Sequence, residues 1–362
     1  DQPRSRGLGD VYKRQMLQYM KVKVDSDNLR ISDKATICMP FHVRQDVLEE
    51  ERLLEKGAAF GSTRRGIAYA YGDKYMKKTL RMGDLLNLNS IAIKRRLQVI
   101  LESKNLIMEN VYGQNPLSFE ELYNWCESQA EYFRNYICDT GKLLNNAAEA
   151  GKNILFEAQL GALRDIDYGI YPYTSSSNTI AAYAPIGAGI PQRTPDRVVG
   201  VMKAYSTCVG EGPFAAEDAM PEEWNNKLRN AGGEFGAATG RPRRVGPFDA
   251  VASRYGIECQ GADDIALTKL DVLSEFDTIP VVTAYELDGH TIDTFPADSS
   301  LERVKPVVEE YPGWHCDISG CKSWEELPKE AREYVLAIEK LVNHRIYLVS
   351  TGAERSEYIT IS

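Results

Sequence analysis

The chain has 362 residues, 43% of them hydrophobic and 26% charged, with a formal net charge of −9 and an isoelectric point near 5.2. That balance excludes a general nucleic-acid binder, because phosphate contacts need a broad basic surface. No run approaches the roughly 18 apolar residues of a membrane span, and seven scattered cysteines without a secretory leader read as reduced thiols of a cytoplasmic protein.

Residues 1–15 (DQPRSRGLGDVYKRQ) have no hydrophobic periodicity and are set aside as an unrelated leader, leaving 16–362 as a single expected domain. Residues 29–40 alternate apolar and polar side chains, which predicts a strand. Residues 46–56 read as a charged helix closed by Gly57. Residues 61–86 carry small residues and arginines into a tyrosine- and lysine-rich stretch, either an anion-binding loop or a solvated basic helix. Residues 118–150 predict a long helical segment: Ser118 and Glu121 form a capping-box pattern, Leu122, Trp125, Phe133, Ile137 and Leu144 recur near helical spacing, and Gly151 ends it.

Residues 154–156 predict a short apolar strand that leads into a polar, glycine-bearing loop, the place where open α/β sheets hold ligands. In that loop Thr174, Ser175, Ser176, Ser177, Asn178 and Thr179 could donate to phosphate oxygens, or form only a serine-rich turn. Residues 198–209 read as another strand and its exit. Residues 232–249 (GGEFGAATGRPRRVGPFD) combine glycines, which let a ligand approach the main chain, with Arg241, Arg243 and Arg244. Arginine forks suit carboxylates and phosphates, so this stretch predicts a loop for anionic substrates.

Residues 265–273 form an apolar strand ending in Thr268, Lys269, Leu270 and Asp271. A lysine stem can cover a flat base, and an aspartate can accept both the N1 and N2 hydrogens of guanine; a surface ion pair at a strand end is the plainer alternative. Residues 281–295 predict a hairpin turning at Asp288–Gly289. Pro328 starts a helix preceded by the Ser323–Glu326 capping pattern, with Tyr334, Val335, Ile338 and Val342 on its apolar face. That helix feeds a strand at 346–349 and a loop of Ser350, Thr351 and Gly352. Cys316 and Cys321, with only His315 beside them, read as an incidental pair rather than a zinc site. The alternation of elements predicts an α/β fold, a largely parallel central sheet flanked by helices, with ligand loops at the strands' carboxyl ends.

The segments GSTRRGI, DIDYGIYPYTSSSNT, GVMKAYSTCVGEGPF, GEFGAATGRPRRVGPFD, LTKLDVL, YPGW and STGAER, in this order, resemble adenylosuccinate synthetase from about residue 29 onward. The resemblance implies a P-loop-related fold, GTP-dependent ligation of L-aspartate to IMP with Mg2+ through a 6-phosphoryl-IMP intermediate, and a homodimer lending a basic residue across its interface. Carried over by position, it implies that Thr63, Gln159 or Leu160, Ser175 and Arg241 contact IMP, with Lys77 as the residue lent by the partner. It implies aspartate binding by Val209, Ala237, Ala238, Thr239, Gly240 and Arg241, and GTP binding by Arg243, Lys269, Leu270, Asp271, Ser350, Thr351 and Gly352.

Several positions depart from the family pattern. Leu160 stands for a glutamine, Lys77 for an arginine, Ala238 for a threonine, Cys208 for an arginine and Ser175 for a threonine, while Ala68-Tyr69 replaces Gly-Pro. The GDEGKGK-type loop with the family's catalytic aspartate, the histidine acid and most of the Mg2+ site have no counterpart in the text. The expectation is therefore an N-terminally incomplete chain with no synthetase activity of its own, no catalytic residue and no metal ligand. Two other readings stand beside it: a non-catalytic purine-nucleotide-binding protein, and a paralogue that uses another purine nucleotide such as dGMP.

Overall fold

The computed structural model describes residues 23–59, 61–158, 160–236, 240 and 242–361. The leader, Met16 and five of the expected site residues (Gln159, Ala237, Ala238, Thr239 and Arg241) lie outside the described residues. The chain divides into two compact units, Asp1–Leu155 with Ile186–Gln192, and Phe156–Pro185 with Arg193–Ser362.

The first unit is mainly helical. Its strand β1, Ile31–Ser32, is much shorter than expected and pairs in parallel with β2, Ile137–Cys138. Helix α1, Pro40–Glu55, begins six residues before the predicted start because Pro40 presets the first turn and His42 Nδ1 accepts the Met39 amide at 2.9 Å. Gly57, at φ 67°, closes it as expected. Helix α2, Ile67–Met76, and helix α3, Ile91–Asn110, follow.

The predicted helical segment at 118–150 is two helices, α4 (Phe119–Phe133) and α5 (Thr140–Glu149), separated by β2. The Ser118–Glu121 capping box forms, with the Glu121 amide donating to Ser118 Oγ at 3.1 Å. Asp139 restarts the helix by accepting the Lys142 amide at 3.0 Å, and Ile137 is drawn out of the helical stripe to pair with Ile31. Leu80, Leu97, Leu122 and Met39 pack at the centre of this unit.

The second unit carries the parallel sheet. Strands β3 (Val199–Lys203), β7 (Asp264–Thr268) and β11 (Ile346–Ser350) lie side by side in parallel, with β12 (Tyr358–Thr360) antiparallel on β11. The stretch 198–209 is broken after β3, and β4, Ser206–Cys208, pairs instead with β5, Arg244–Gly246. A second sheet has β8 (Thr278–Leu287) at its centre, between β6 (Phe248–Asp249) and β10 (Lys305–Pro312), with β9 (His290–Ile292) completing the expected hairpin. Asp288 and Gly289 both adopt positive φ, as a two-residue hairpin turn requires.

Helices α6 (Glu222–Ala231), α7 (Ala250–Gln260) and α8 (Lys329–Val342) complete the second unit. Helix α8 buries the face predicted for it, and Tyr334 donates to the Ala204 carbonyl at 2.7 Å. The core joins Ile265, Leu267, Ile346 and Val349 from the parallel strands to Val335 and Ile338. The strand expected at 154–156 is absent: those residues form no strand and Leu155 is 93% exposed. Three apolar side chains were too few to define a buried strand. Among the described residues no helix is long and apolar enough to cross a membrane.

Candidate functional site

Strands β7 and β11 are parallel neighbours, with Leu267 opposite Val349, so their carboxyl ends leave the sheet on the same side. This is where a parallel sheet presents its ligand loops. The chain after β7 passes through Lys269 at φ 61° into a tight turn at Leu270–Leu273. The chain after β11 runs through Ser350, Thr351 and Gly352, with Ser350 Oγ donating to the Gly352 carbonyl at 2.9 Å. Leu270 is fully buried in the core, so only its backbone can face a ligand.

Two polar atoms in these loops are buried and carry no hydrogen bond among the described residues: Asp271 Oδ1 and Thr351 Oγ1. Burial raises the Asp271 carboxyl above its ordinary range. An acceptor left unmatched in a protein interior costs about 1–3 kcal/mol, which a donor from a ligand would remove. Asp271 is thus a carboxylate short of donors, two residues beyond Lys269.

A cluster that the sequence reading overlooked lies at the exits of β3 and β7. Glu234 is fully buried. Its Oε1 meets Lys203 Nζ at 2.8 Å, the Tyr205 hydroxyl at 2.6 Å and Lys269 Nζ at 3.3 Å, while its Oε2 accepts from Arg243 at 2.7 Å. Burial pushes the Glu234 carboxyl up, but the hydrogen bonds from Lys203, Tyr205 and Arg243 outweigh it and hold the carboxyl down at about 2. Burial depresses the Lys203 ammonium; Glu234 opposes that, and the charges of Lys269 and Arg243 add to it. Three cations against one carboxylate leave the cluster positive.

The arginine-rich stretch is not wholly a loop. Arg244 lies in β5 and is engaged with Glu217 Oε2 at 2.6 Å and the Gly212 carbonyl at 2.7 Å, so its role is structural. Asp249 ends the stretch as the cap of α7, accepting the Ala252 amide at 2.9 Å and the Tyr285 hydroxyl at 2.6 Å. Gly240, at φ 65°, donates its amide to the Gly236 carbonyl at 2.7 Å, a turn conformation natural to glycine.

The hydroxyl-rich segment follows no strand, contrary to expectation, and is organised by Asp165. That carboxylate accepts the amides of Asp167 at 2.9 Å, Tyr168 at 3.1 Å and Thr179 at 2.5 Å. Thr179 Oγ1 donates to the Gly161 carbonyl and Asn178 Nδ2 to Asp167, so these two members serve the turn itself. Ser175 Oγ and Ser177 Oγ form a pair at 2.6 Å and remain half-buried.

Arg164, also overlooked, joins this segment to the exit of β4. Its carbonyl accepts the Ser175 amide at 2.8 Å, and its guanidinium donates to the carbonyls of Tyr173 and of Val209, the latter at 2.9 Å. The same guanidinium contacts Cys208 Sγ at 2.7 Å. The signal available in sequence was the arginine immediately before Asp165. Leu160 is exposed and held at φ 80°, a backbone conformation unusual for a bulky residue.

Thr63 and Lys77 belong to the first unit. There Asp46 and Glu50 shape the loop at 61–66. Asp46 accepts from Ser62 Oγ at 2.7 Å and from the Gly66 amide at 2.6 Å; Glu50 accepts the Gly61 and Ser62 amides at 2.8 and 3.0 Å. The loop thereby turns Thr63, Arg64 and Arg65 outward to solvent. Lys77 is exposed at the end of α2, at φ 62°. His42, buried against Asp73 Oδ2 at 2.8 Å, belongs with Lys104 to an interior ion cluster.

The adenylosuccinate synthetase family model matches residues 13–359. The chain is 44% identical over 338 residues to an adenylosuccinate synthetase of Pelobacter propionicus, covering 93% of this chain and 77% of that one. It is 43% identical over 339 residues to that of Geobacter sulfurreducens, with the same coverage. The structure of the fully ligated adenylosuccinate synthetase from Plasmodium falciparum superposes with a TM-score of 0.87 at 32% identity, over 97% of this chain and 82% of that one. A cyanophage S-2L succinoaminodeoxyadenylate synthetase bound to dGMP and dATP shares the fold at a TM-score of 0.50 and 15% identity, over 96% of this chain and 73% of that one.

Proposed function

The chain belongs to the adenylosuccinate synthetase family of ligases, and from that premise we propose that its loops bind GTP, IMP and L-aspartate for the ligation that forms adenylosuccinate, GDP and phosphate. The observation that carries this reading is Asp271 Oδ1, buried and unmatched among the described residues, two positions beyond Lys269. A guanine edge offers two N–H donors where adenine offers an acceptor at the equivalent ring nitrogen, so this carboxylate selects guanine. The cations Lys203, Lys269 and Arg243 supply the positive field that triphosphates require, and arginine-rich positioning is most of what phosphoryl transfer asks of a protein.

The Ser175–Ser177 hydroxyls are assigned to the IMP phosphate, and the segment around Val209 with residues 237–241 to the aspartate carboxylates. In the ligation the γ-phosphoryl group of GTP is transferred to O6 of IMP, and the amine of aspartate then displaces phosphate at C6. No residue of this chain is assigned the accompanying proton transfers. Among the described residues no three His, Cys, Asp or Glu side chains converge to hold a metal ion.

Replacing Asp271 by Asn exchanges one acceptor oxygen for a donor and removes the charge. The expected result is a loss of about 2 kcal/mol in GTP binding, roughly 30-fold, with ATP binding little changed. Titration of wild type and Asp271→Asn with both nucleotides checks this, and an Asn variant that keeps full preference for GTP contradicts it.

A further inference from the structure

Glu234 is buried completely, but the three cations that share it are not: the side chains of Lys203, Arg243 and Lys269 remain 27%, 33% and 38% exposed. An ion pair made only for stability needs one cation per carboxylate. Among the described residues one carboxylate underlies three cations, so the positive charge at the exits of β3 and β7 exceeds what Glu234 neutralises. Spare donors remain as well. Lys269 Nζ spends itself on Glu234 and on the Gly232 carbonyl at 2.6 Å, leaving one N–H, and the Arg243 guanidinium gives Glu234 one of its five. The main chain secures the same geometry, since the Arg243 amide donates to the Glu234 carbonyl at 2.9 Å and Arg229 Nε to the Arg243 carbonyl at 2.7 Å.

We propose that Glu234 is the positioning residue of the nucleotide site, holding Arg243 and Lys269 in the one arrangement from which both meet a guanine nucleotide. The inference rests on the nucleotide reading above and adds a residue that the resemblance does not assign. Without the carboxylate, three cations at this spacing repel one another. Arginine keeps its proton, so the strain falls on Lys203, whose ammonium burial already depresses. Lys203 Nζ meets Glu234 Oε1 at 2.8 Å and Thr207 Oγ1 at 3.0 Å, its ammonium faces the Tyr205 ring, and the charges of Lys269 and Arg243 act against it. Of these only Glu234 pairs with its charge at hydrogen-bond distance, so its removal lets Lys203 lose its proton as pH rises and weakens the field that attracts phosphate.

The test is equilibrium binding of a fluorescent GTP analogue to the full chain. Wild type and Glu234→Gln are compared at about pH 6.5 and about pH 8.5, with folding verified by circular dichroism. The expected result is a loss of roughly 10-fold or more in the Gln variant at the higher pH and a clearly smaller loss at the lower, against a nearly flat wild type. Unchanged affinity, or a loss equal at both pH values, overturns the proposal, because general loosening of the fold has no reason to follow a lysine's titration. Should the Gln variant not fold, Glu234→Asp decides: it keeps the charge on a shorter arm, so intermediate affinity with wild-type pH dependence supports the proposal and full affinity overturns it. A wild type that binds ATP as well as GTP, with the same Glu234→Gln loss, overturns the guanine reading and leaves Glu234's role standing; no nucleotide binding by wild type overturns both.

Discussion

Asp249 is buried at the start of α7, where its carboxylate caps the helix and receives the Tyr285 hydroxyl. Burial pushes this carboxyl up to about 6. The folded state therefore holds a proton that the unfolded chain has already lost, and stability declines as pH rises from about 4 to about 6, by about 3 kcal/mol. Asp249→Asn should flatten that slope in urea titrations across the same window, whereas an unchanged slope would show that another group sets it. Glu234 acts in the opposite sense. With its carboxyl held at about 2, its contribution is complete above about pH 4.5 and is lost as pH falls toward 2. The two windows hardly overlap, so one series of denaturation curves separates them.

The loop at 61–66 owes its form to Gly66 as much as to the carboxylates of α1. Gly66 sits at φ 74°, and a Cβ there would lie 2.7 Å from the His42 carbonyl carbon and the Val43 nitrogen, both main-chain atoms that cannot swing aside. Gly66→Ala should cost the first unit roughly 3 kcal/mol, combining left-handed strain with backbone overlap. Thermal unfolding checks this, and a midpoint within a degree or two of wild type contradicts it. The Ser118→Ala cap variant should be milder, about 1 kcal/mol. These two sites also mark what local sequence conveys. The Ser118–Glu121 box was legible because both partners sit within one turn. The break that follows α4 was not, because Ile137 leaves the helical stripe only to pair with Ile31, more than a hundred residues earlier.

Across the whole chain the same distinction separates the two halves of the proposed nucleotide site. Lys269 and Asp271 could be singled out from four letters at the end of an apolar strand, and the parallel pairing of β7 with β11 adds Thr351 to them. Glu234 could not. Its partners come from positions 203, 205, 243 and 269, and within GGEFG it stands among glycines that drew the reading toward backbone geometry. Arg164 was hidden in a similar way, since two of its partners, Cys208 and Val209, lie more than forty residues onward. The first unit adds a further whole-molecule expectation. Ile91, Val99 and Leu106 are well exposed along one side of α3, an apolar stripe suited to cover by a second copy. A dimer by light scattering, dispersed by Val99→Lys with Leu106→Lys, is the expected outcome; a monomeric wild type contradicts it.

In the function proposed above, the exits of β7 and β11 hold a guanine nucleotide through Asp271. Calorimetric titration of the unmodified chain with GTP and then with ATP, in the same buffer, tests it most directly. The account predicts GTP binding with ATP weaker by at least about 10-fold, the worth of one well-placed hydrogen bond to a carboxylate. Equal affinity for the two nucleotides, or tighter binding of ATP, would contradict it.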